Sequence, residues 1–300
     1  MMHTYDFEEA VPGASRVAFG SFDGLHIGHR AVIGKLCGYE TQTPVVLSFE
    51  ENEKPIIYSE DEKEYLMKDS GVEIMVSMPV KDAYAMTGEE FAKEILAKRL
   101  QAKSVVAGEN ISFGSEGLGI DALKEFGEKY GFAVDVIPTV YLGGEPVTTD
   151  RVKKAIEDGD FRRMNVLLGH AYLMRGTVVH GKAAGRKVGM PTANLGVAKN
   201  KLFPPHGVYG TLSYMDGTFF RGMTNIGLRP SDDDVPIATI ETFLLDFDRD
   251  IYGKDIKLEI HAYIRGVKKF ANLEEVKKQV DKDIEAVRVY MDGVIYNMKK

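Results

Sequence analysis

Val17-Ala-Phe-Gly-Ser-Phe-Asp-Gly-Leu-His-Ile-Gly-His29 runs from a short apolar strand through a glycine-spaced turn into the start of a helix. Open α/β sheets bind phosphates at such junctions, because the first N–H groups of a helix have no partner within it. His26 and His29 are three residues apart, so both imidazoles can face one ligand from an opening helical turn. Gly20, Gly24 and Gly28 let the backbone approach that ligand closely, and an anion between the histidines fits the pattern. His-x-x-His taken alone is also compatible with a glycine turn carrying incidental histidines, or with a weak metal site.

The surrounding sequence alternates strands and helices. Val45–Phe49, Glu73–Met78, Ser104–Ala107 and Ala133–Ile137 read as strands, separated by helices near Asp61–Ser70, Gly88–Leu100 and Leu123–Tyr130. Such alternation predicts a doubly wound parallel sheet. Two further helices, Arg151–Ile156 and Asp160–Leu168, end at Gly159 and Gly169. Beyond Gly169 the pattern changes to strands without helices between them: Leu173–His180, Gly207–Met215, Thr218–Asn225, Thr239–Phe247 and Ile256–Ile264. They are rich in β-branched and aromatic residues, which predicts an antiparallel barrel or sandwich. Leu273, Val276, Val280, Ile284, Val287 and Met291 then recur at helical spacing and give a terminal helix one apolar face. The expected domains are 1–169 and 170–300.

A chain of 300 residues suits two such domains. Hydrophobic residues make up 44% and charged residues 28%, enough apolar material for folded cores. Lys and Arg total 38 against 45 for Asp and Glu, a formal charge of -7 that argues against a nucleic-acid partner. The start, with acidic residues and no apolar core, reads as neither a secretory signal nor a transit peptide, and no apolar run reaches spanning length. Cys37 is the only cysteine, which removes internal disulfides. The expectation is a cytoplasmic protein acting on small molecules, away from membranes, with no obligate protein partner evident.

The second half holds its own candidate site. Gly176-Thr-Val-Val-His-Gly-Lys-Ala183 nearly has P-loop spacing, but Ala183 stands where Mg²⁺ needs a Ser or Thr hydroxyl, so a Walker A site is rejected. Gly181, Gly185 and Gly189 with Lys182, Arg186 and Lys187 can still cradle a phosphate. Gly189-Met-Pro-Thr-Ala-Asn-Leu195 follows, where the Thr192 hydroxyl and Asn194 amide oxygen are hard donors suited to Mg²⁺ beside nucleotide phosphates. The same two residue types also cap turns.

The run Gly-x-Val-x-His-Gly-x-x-x-Gly-Arg-x-x-Gly-x-Pro-Thr-Ala-Asn from Gly176 to Asn194 closely resembles the riboflavin kinase motif. The resemblance continues through Pro205–Tyr209, Asn225–Pro230, Ile240–Asp248, Ile251–Gly253 and Tyr263–Arg265. The first half resembles the nucleotidyltransferase superfamily through its His-x-Gly-His motif, and the whole chain resembles the prokaryotic bifunctional riboflavin kinase/FMN adenylyltransferase family. This implies an α/β nucleotidyltransferase-like doubly wound domain followed by a mostly antiparallel β-barrel domain with a C-terminal helix. It implies phosphorylation of riboflavin by ATP and adenylylation of FMN to FAD, with Mg²⁺ as cofactor.

By the same resemblance His26 and His29 stabilise charge on the ATP phosphates as pyrophosphate leaves, and Ser21, Phe22 and Asp23 touch that ligand. Gly108-Glu-Asn-Ile-Ser-Phe-Gly114 matches a loop that shapes the nucleotide and flavin sites, with Asn110 toward the flavin. Thr148, Thr149 and Lys153 match phosphate contacts. In the second half Gly181, Lys182, Gly185 and Arg186 hold phosphate, Thr192 and Asn194 hold the metal, Glu241 is the general base, and Arg265 lies at the flavin or nucleotide. The chain departs from the family at Ile111, Asp150, Lys153 and Val267, and at Phe49-Glu-Glu-Asn-Glu53, where Phe-x-Pro-His-Pro is usual. Acidic Glu51 and Glu53 would repel the FMN phosphate unless Mg²⁺ intervenes. A kinase with a vestigial N-terminal domain, and a non-catalytic flavin- or nucleotide-binding regulator, are the alternatives.

Overall fold

The backbone of the first half follows from apolar runs buried on both faces. In β2 (Ser15–Gly20), Val17 and Phe19 join one core cluster, while Ala18 between them joins another on the opposite face. Continuous apolar strands of this kind require helices on both sides of the sheet. The computed structural model describes residues 2–6, 13–38, 41–180, 192–229 and 237–298, and the chain divides into two compact units, Met1–Val152 and Lys153–Lys300.

Unit one is a six-stranded parallel sheet. Its strands are β1 (His3–Asp6), β2, β3 (Thr43–Glu50), β4 (Ile74–Pro79), β5 (Ala102–Gly108) and β6 (Ala133–Ile137), ordered β1-β4-β3-β2-β5-β6. The intervening helices are α1 (Ile27–Cys37), α2 (Glu60–Lys68), α3 (Val80–Ala85), α4 (Gly88–Glu90), which continues as a π-helix over Phe91–Arg99, and α5 (Ile120–Tyr130). The chain steps outward from β2 to β3 and β4, then returns to place β5 on the other side of β2. That reversal opens a crevice at the carboxyl ends of β2 and β5, where doubly wound sheets bind ligands. The edge strand β1, a polar His-Thr-Tyr-Asp, was not legible as a strand in the sequence.

A short hairpin, β7 (Tyr141–Leu142) and β8 (Glu145–Pro146), leads into α6 (Thr149–Glu157) and α7 (Phe161–Leu168). Gly159 and Gly169 stop these helices with φ of 67° and 76°, as the sequence predicted.

Unit two contains a closed antiparallel barrel in the order β10-β13-β12-β11-β14-β9. The strands are β9 (Tyr172–Val179), β10 (Ala193–Leu195), β11 (Gly207–Met215), β12 (Thr218–Arg229), β13 (Ile237–Leu244) and β14 (Asp255–Gly266). β10, read in the sequence only as a motif, is the strand that closes the barrel between β9 and β13. Gly176 is a packing glycine, since a Cβ there would lie 1.8 Å from the Gly196 carbonyl oxygen. Within the wall, the buried hydroxyls of Thr211, Thr224 and Thr242 join across three strands at 2.9 and 2.8 Å.

The terminal helix α8 (Leu273–Met298) extends past the expected Met291, and its Val287 and Met291 pack against Val208, Leu212 and Met223. The compact units part at Val152/Lys153, within α6, whereas the sequence places the boundary near Gly169. Phe161 of α7 packs on the barrel, its ring 5.4 Å from Tyr209 and 6.2 Å from Tyr263.

Candidate active sites

The crevice of unit one is a cleft of about 460 Å³ at the ends of β2 and β5. Two helix N-termini reach it: α1 contributes His26, Gly28 and His29, and α6 contributes Thr148 and Thr149. Their unpaired N–H groups and dipoles favour an anion there. Gly28 is constrained by proximity, because a Cβ would come within 3.1 Å of the His26 ring.

His26 caps α1, with Nδ1 accepting from the His29 backbone N–H at 3.2 Å. An accepting Nδ1 leaves the proton of the neutral ring on Nε2, a donor. The two imidazoles stack with centroids 3.7 Å apart at 14°. Burial is the main cause that lowers the His26 pKa to about 4. His29 is also pushed well below its ordinary value, by burial and then by the nearby His26 and Lys63. Burial thus favours the neutral, hydrogen-bonding form of both rings near pH 7.

Ser21, Phe22, Asn110, Thr148 and Thr149, all singled out in the sequence, line the cleft. Phe22 and Leu25 adopt left-handed φ of 47° and 43°, an unusual conformation for non-glycine residues that their buried side chains help hold. Asn110 donates to the Thr139 hydroxyl at 2.7 Å, and Thr149 donates to the Asp23 carbonyl at 3.2 Å.

Asp23, expected from the resemblance to touch the ligand, is engaged within the protein. It does not line the cleft; its buried carboxylate accepts from the Ile57 and Tyr58 backbone N–H groups at 2.7 and 3.0 Å. Lys153 lies one turn into α6. Asp150 is exposed on the first turn of α6, where a carboxylate suits the helix dipole. Glu51 accepts from the N–H groups of Glu53 and Lys54 within its own turn, and neither Glu51 nor Glu53 lines the cleft. Sequence reasoning missed Lys63, a buried cation of α2 that donates to the Ser21 carbonyl. Its only sequence signal is a lysine immediately after the Glu60-Asp-Glu run, which reads as an ordinary solvated helix face.

In unit two, register places Asn194 opposite Glu241, and Glu241 opposite Asn225, across β10, β13 and β12. Thr192 lines a cavity of about 270 Å³ together with Thr242, Leu244 and the loop from Phe247 to Tyr252. Asn194 lines a second cavity of about 210 Å³ that also includes His180 and Lys199. Asn194 and Glu241 oppose one another on paired strands and Thr192 immediately precedes β10; their hydroxyl, amide and carboxylate oxygens are hard donors of the type a divalent cation takes, although Thr192 and Asn194 line different cavities and Glu241 lines neither. Gly181, Lys182, Gly185 and Arg186 lie outside the described residues.

Arg265, which the resemblance places at the flavin or nucleotide, has internal partners. Its Nε donates to the buried Asp283 carboxylate at 3.1 and 2.9 Å, and a further guanidinium nitrogen lies 2.8 Å from the same group. Another donates to the Gly266 carbonyl at 3.0 Å, while Gln279 donates to Asp283 at 2.8 Å. The guanidinium thus ties β14 to α8 and is engaged within the protein.

Residues 8–151 match the family model described as FAD synthetase, and residues 168–291 match that described as riboflavin kinase. The bifunctional riboflavin kinase/FMN adenylyltransferase of Buchnera aphidicola is 30% identical over 295 residues, covering 93% of this chain and 94% of that protein. The chain belongs to the bifunctional riboflavin kinase/FMN adenylyltransferase family. A Listeria monocytogenes member of the family is 29% identical and covers 91% of each chain. Both family domains occur here in the same order as the two candidate sites. A solved Streptococcus pneumoniae structure, named a macrolide-efflux protein, aligns with a TM-score of 0.81 and 29% identity over 95% of this chain and 98% of that one. Efflux is the description of that protein; among the described residues here, no helix is long and apolar enough to cross a membrane.

Proposed function

We propose that the barrel unit phosphorylates riboflavin with ATP and that the parallel-sheet unit transfers an adenylyl group from a second ATP to FMN. The carrying observation is the neutral, stacked His26–His29 pair at the meeting of two helix N-termini, because it equips the N-terminal unit for phosphate chemistry of its own. A kinase with a vestigial first domain would need no such cleft.

In the first reaction Glu241 takes the proton of the ribityl 5′-hydroxyl as that oxygen attacks the γ-phosphorus, and the bond to the ADP oxygen breaks. Thr192 and Asn194 would hold Mg²⁺, which spreads the charge of the phosphates when bound. In the second reaction an FMN phosphate oxygen attacks the α-phosphorus of ATP, and the bond to pyrophosphate breaks. His26 and His29 donate hydrogen bonds to the phosphate oxygens that gain charge, while Ser21, Phe22, Thr148 and Thr149 position them. Asn110 contacts the flavin from the Gly108–Gly114 loop.

The boundary between the two activities is drawn at Gly169, giving 1–169 and 170–300, a division that the family matches over 8–151 and 168–291 support. The enzyme works in the cytoplasm on riboflavin, FMN and ATP. The test is incubation with riboflavin, ATP and Mg²⁺ and chromatographic separation of the flavins, with FMN as substrate in parallel. FAD in both reactions is the expected result; FMN alone would reduce the protein to a kinase, and neither product would leave a regulator.

A further inference from the structure

Lys63 is only 3% exposed, although it carries an ammonium group on a helix rich in charge. Its Nζ donates at 2.8 Å to the carbonyl of Ser21 and at 2.8 Å to the hydroxyl of Ser48, and it pairs with Glu60 one turn earlier. Replacing a buried ion pair by apolar groups is commonly neutral or stabilising, so packing alone does not account for a charge at this depth. What the ammonium supplies is direction. Ser21 is the first residue after β2 and lines the cleft, so the donor fixes the loop at the point where it leaves the sheet.

The same loop is held on its other flank. Asp23 accepts from the N–H groups of Ile57 and Tyr58, the residues leading into α2, whose start is set by a capping box between Ser59 and Glu62. Between these two anchors lies left-handed Phe22. The loop is therefore held on either side of its strained residue, at Ser21 by the Lys63 ammonium of α2 and at Asp23 by the backbone N–H groups of Ile57 and Tyr58, just before α2. The field of Lys63 also reaches His29, where it adds to burial and His26 in disfavouring the imidazolium.

We propose that Lys63 is a positioning residue of the adenylyl-transfer reaction, acting through the Ser21 carbonyl to keep the β2–α1 loop in the shape that receives the ATP phosphates. The proposal rests on the reading of this cleft as the adenylyltransferase site. A purely structural lysine would affect stability and leave the ATP dependence of the folded enzyme unchanged.

The experiment compares Lys63→Met with the wild-type full chain in FAD formation from FMN, varying ATP and FMN separately. The expected result is a KM for ATP raised about tenfold, kcat lowered about tenfold and a KM for FMN within about twofold. Riboflavin phosphorylation by the same preparation stays unchanged. ATP parameters within about twofold of wild type would overturn the proposal. Should Lys63→Met not be recovered folded, Ser48→Ala decides. Ser48 is fully buried, partners Lys63 and does not line the cleft, so its loss should raise the KM for ATP about threefold, and no change would overturn the proposal. His29→Asn tests the underlying reading separately, because full FAD formation by that variant would remove the cleft from the reaction whatever Lys63 does.

Discussion

Asn194 on β10 and Glu241 on β13 stand directly opposite one another in the barrel wall. Antiparallel pairing puts opposed side chains on the same face of the sheet, with Cβ atoms about 5 Å apart. A carboxylate and an amide oxygen are thus presented together by two strands distant in sequence. Glu241→Gln keeps the shape and removes the base, so riboflavin phosphorylation should fall by about 10²–10⁴-fold while FAD formation from supplied FMN persists. Flavin chromatography of the two reactions checks this.

The histidine pair makes the stability of the first unit depend on pH. His26 has a folded-state pKa of about 4 against an ordinary 6.5, so between these values the unfolded chain binds more protons than the folded one. Stability therefore rises with pH through that window and is lost on acidification, by about 3 kcal/mol for this group. Urea unfolding of wild type and His26→Gln at pH 4.5 and 7.5 should show a smaller pH dependence in the variant.

The Arg265–Asp283 pair gives a third expectation. Asp283 is 2% exposed, so Asp283→Ala would strand a guanidinium partly inside the junction of β14 and α8. The expected loss is about 3–5 kcal/mol, with an apolar replacement of both partners recovering much of it. Thermal unfolding of the single and double variants measures the difference, and riboflavin phosphorylation should decline with the single variant.

Gly176→Ala should be more damaging than any glycine-to-alanine change at an open turn. The added methyl meets the Gly196 carbonyl, so β9 and the chain leaving β10 must separate. Reduced thermal stability of the barrel with loss of kinase activity is the expected result, whereas Gly143→Ala, with open space around its Cβ, should affect only local turn geometry at its φ of 65°.

The sequence made the layered architecture legible because periodicity is local: Val17, Ala18 and Phe19 announce a strand buried on both sides, and Val280, Val287 and Met291 announce a helix with one apolar face. It also exposed His26, His29, Asn194 and Glu241, whose motifs are short. Side-chain direction was not legible. Asp23 and Arg265 have the right type for ligand contact, but their partners lie 34 and 18 residues away and are set by tertiary packing. Lys63 was hidden for the same reason, since nothing in Glu60-Asp-Glu-Lys63 tells which member of a charged run turns inward. β10 escaped because three residues are too few for a period to declare itself.

That shortness bears on the local stability of the barrel wall. β10 spans only Ala193–Leu195, yet it closes the barrel between β9 and β13 and carries Asn194. β11 and β12, by contrast, are joined along nine consecutive pairs from Gly207 to Met215. In native-state hydrogen exchange the amides of β10 should therefore lose protection well before those of β11, by a local opening that leaves the rest of the barrel intact. The strand that carries Asn194 is thus the shortest in the barrel wall, and its seam is expected to exchange ahead of the long β11–β12 pairing.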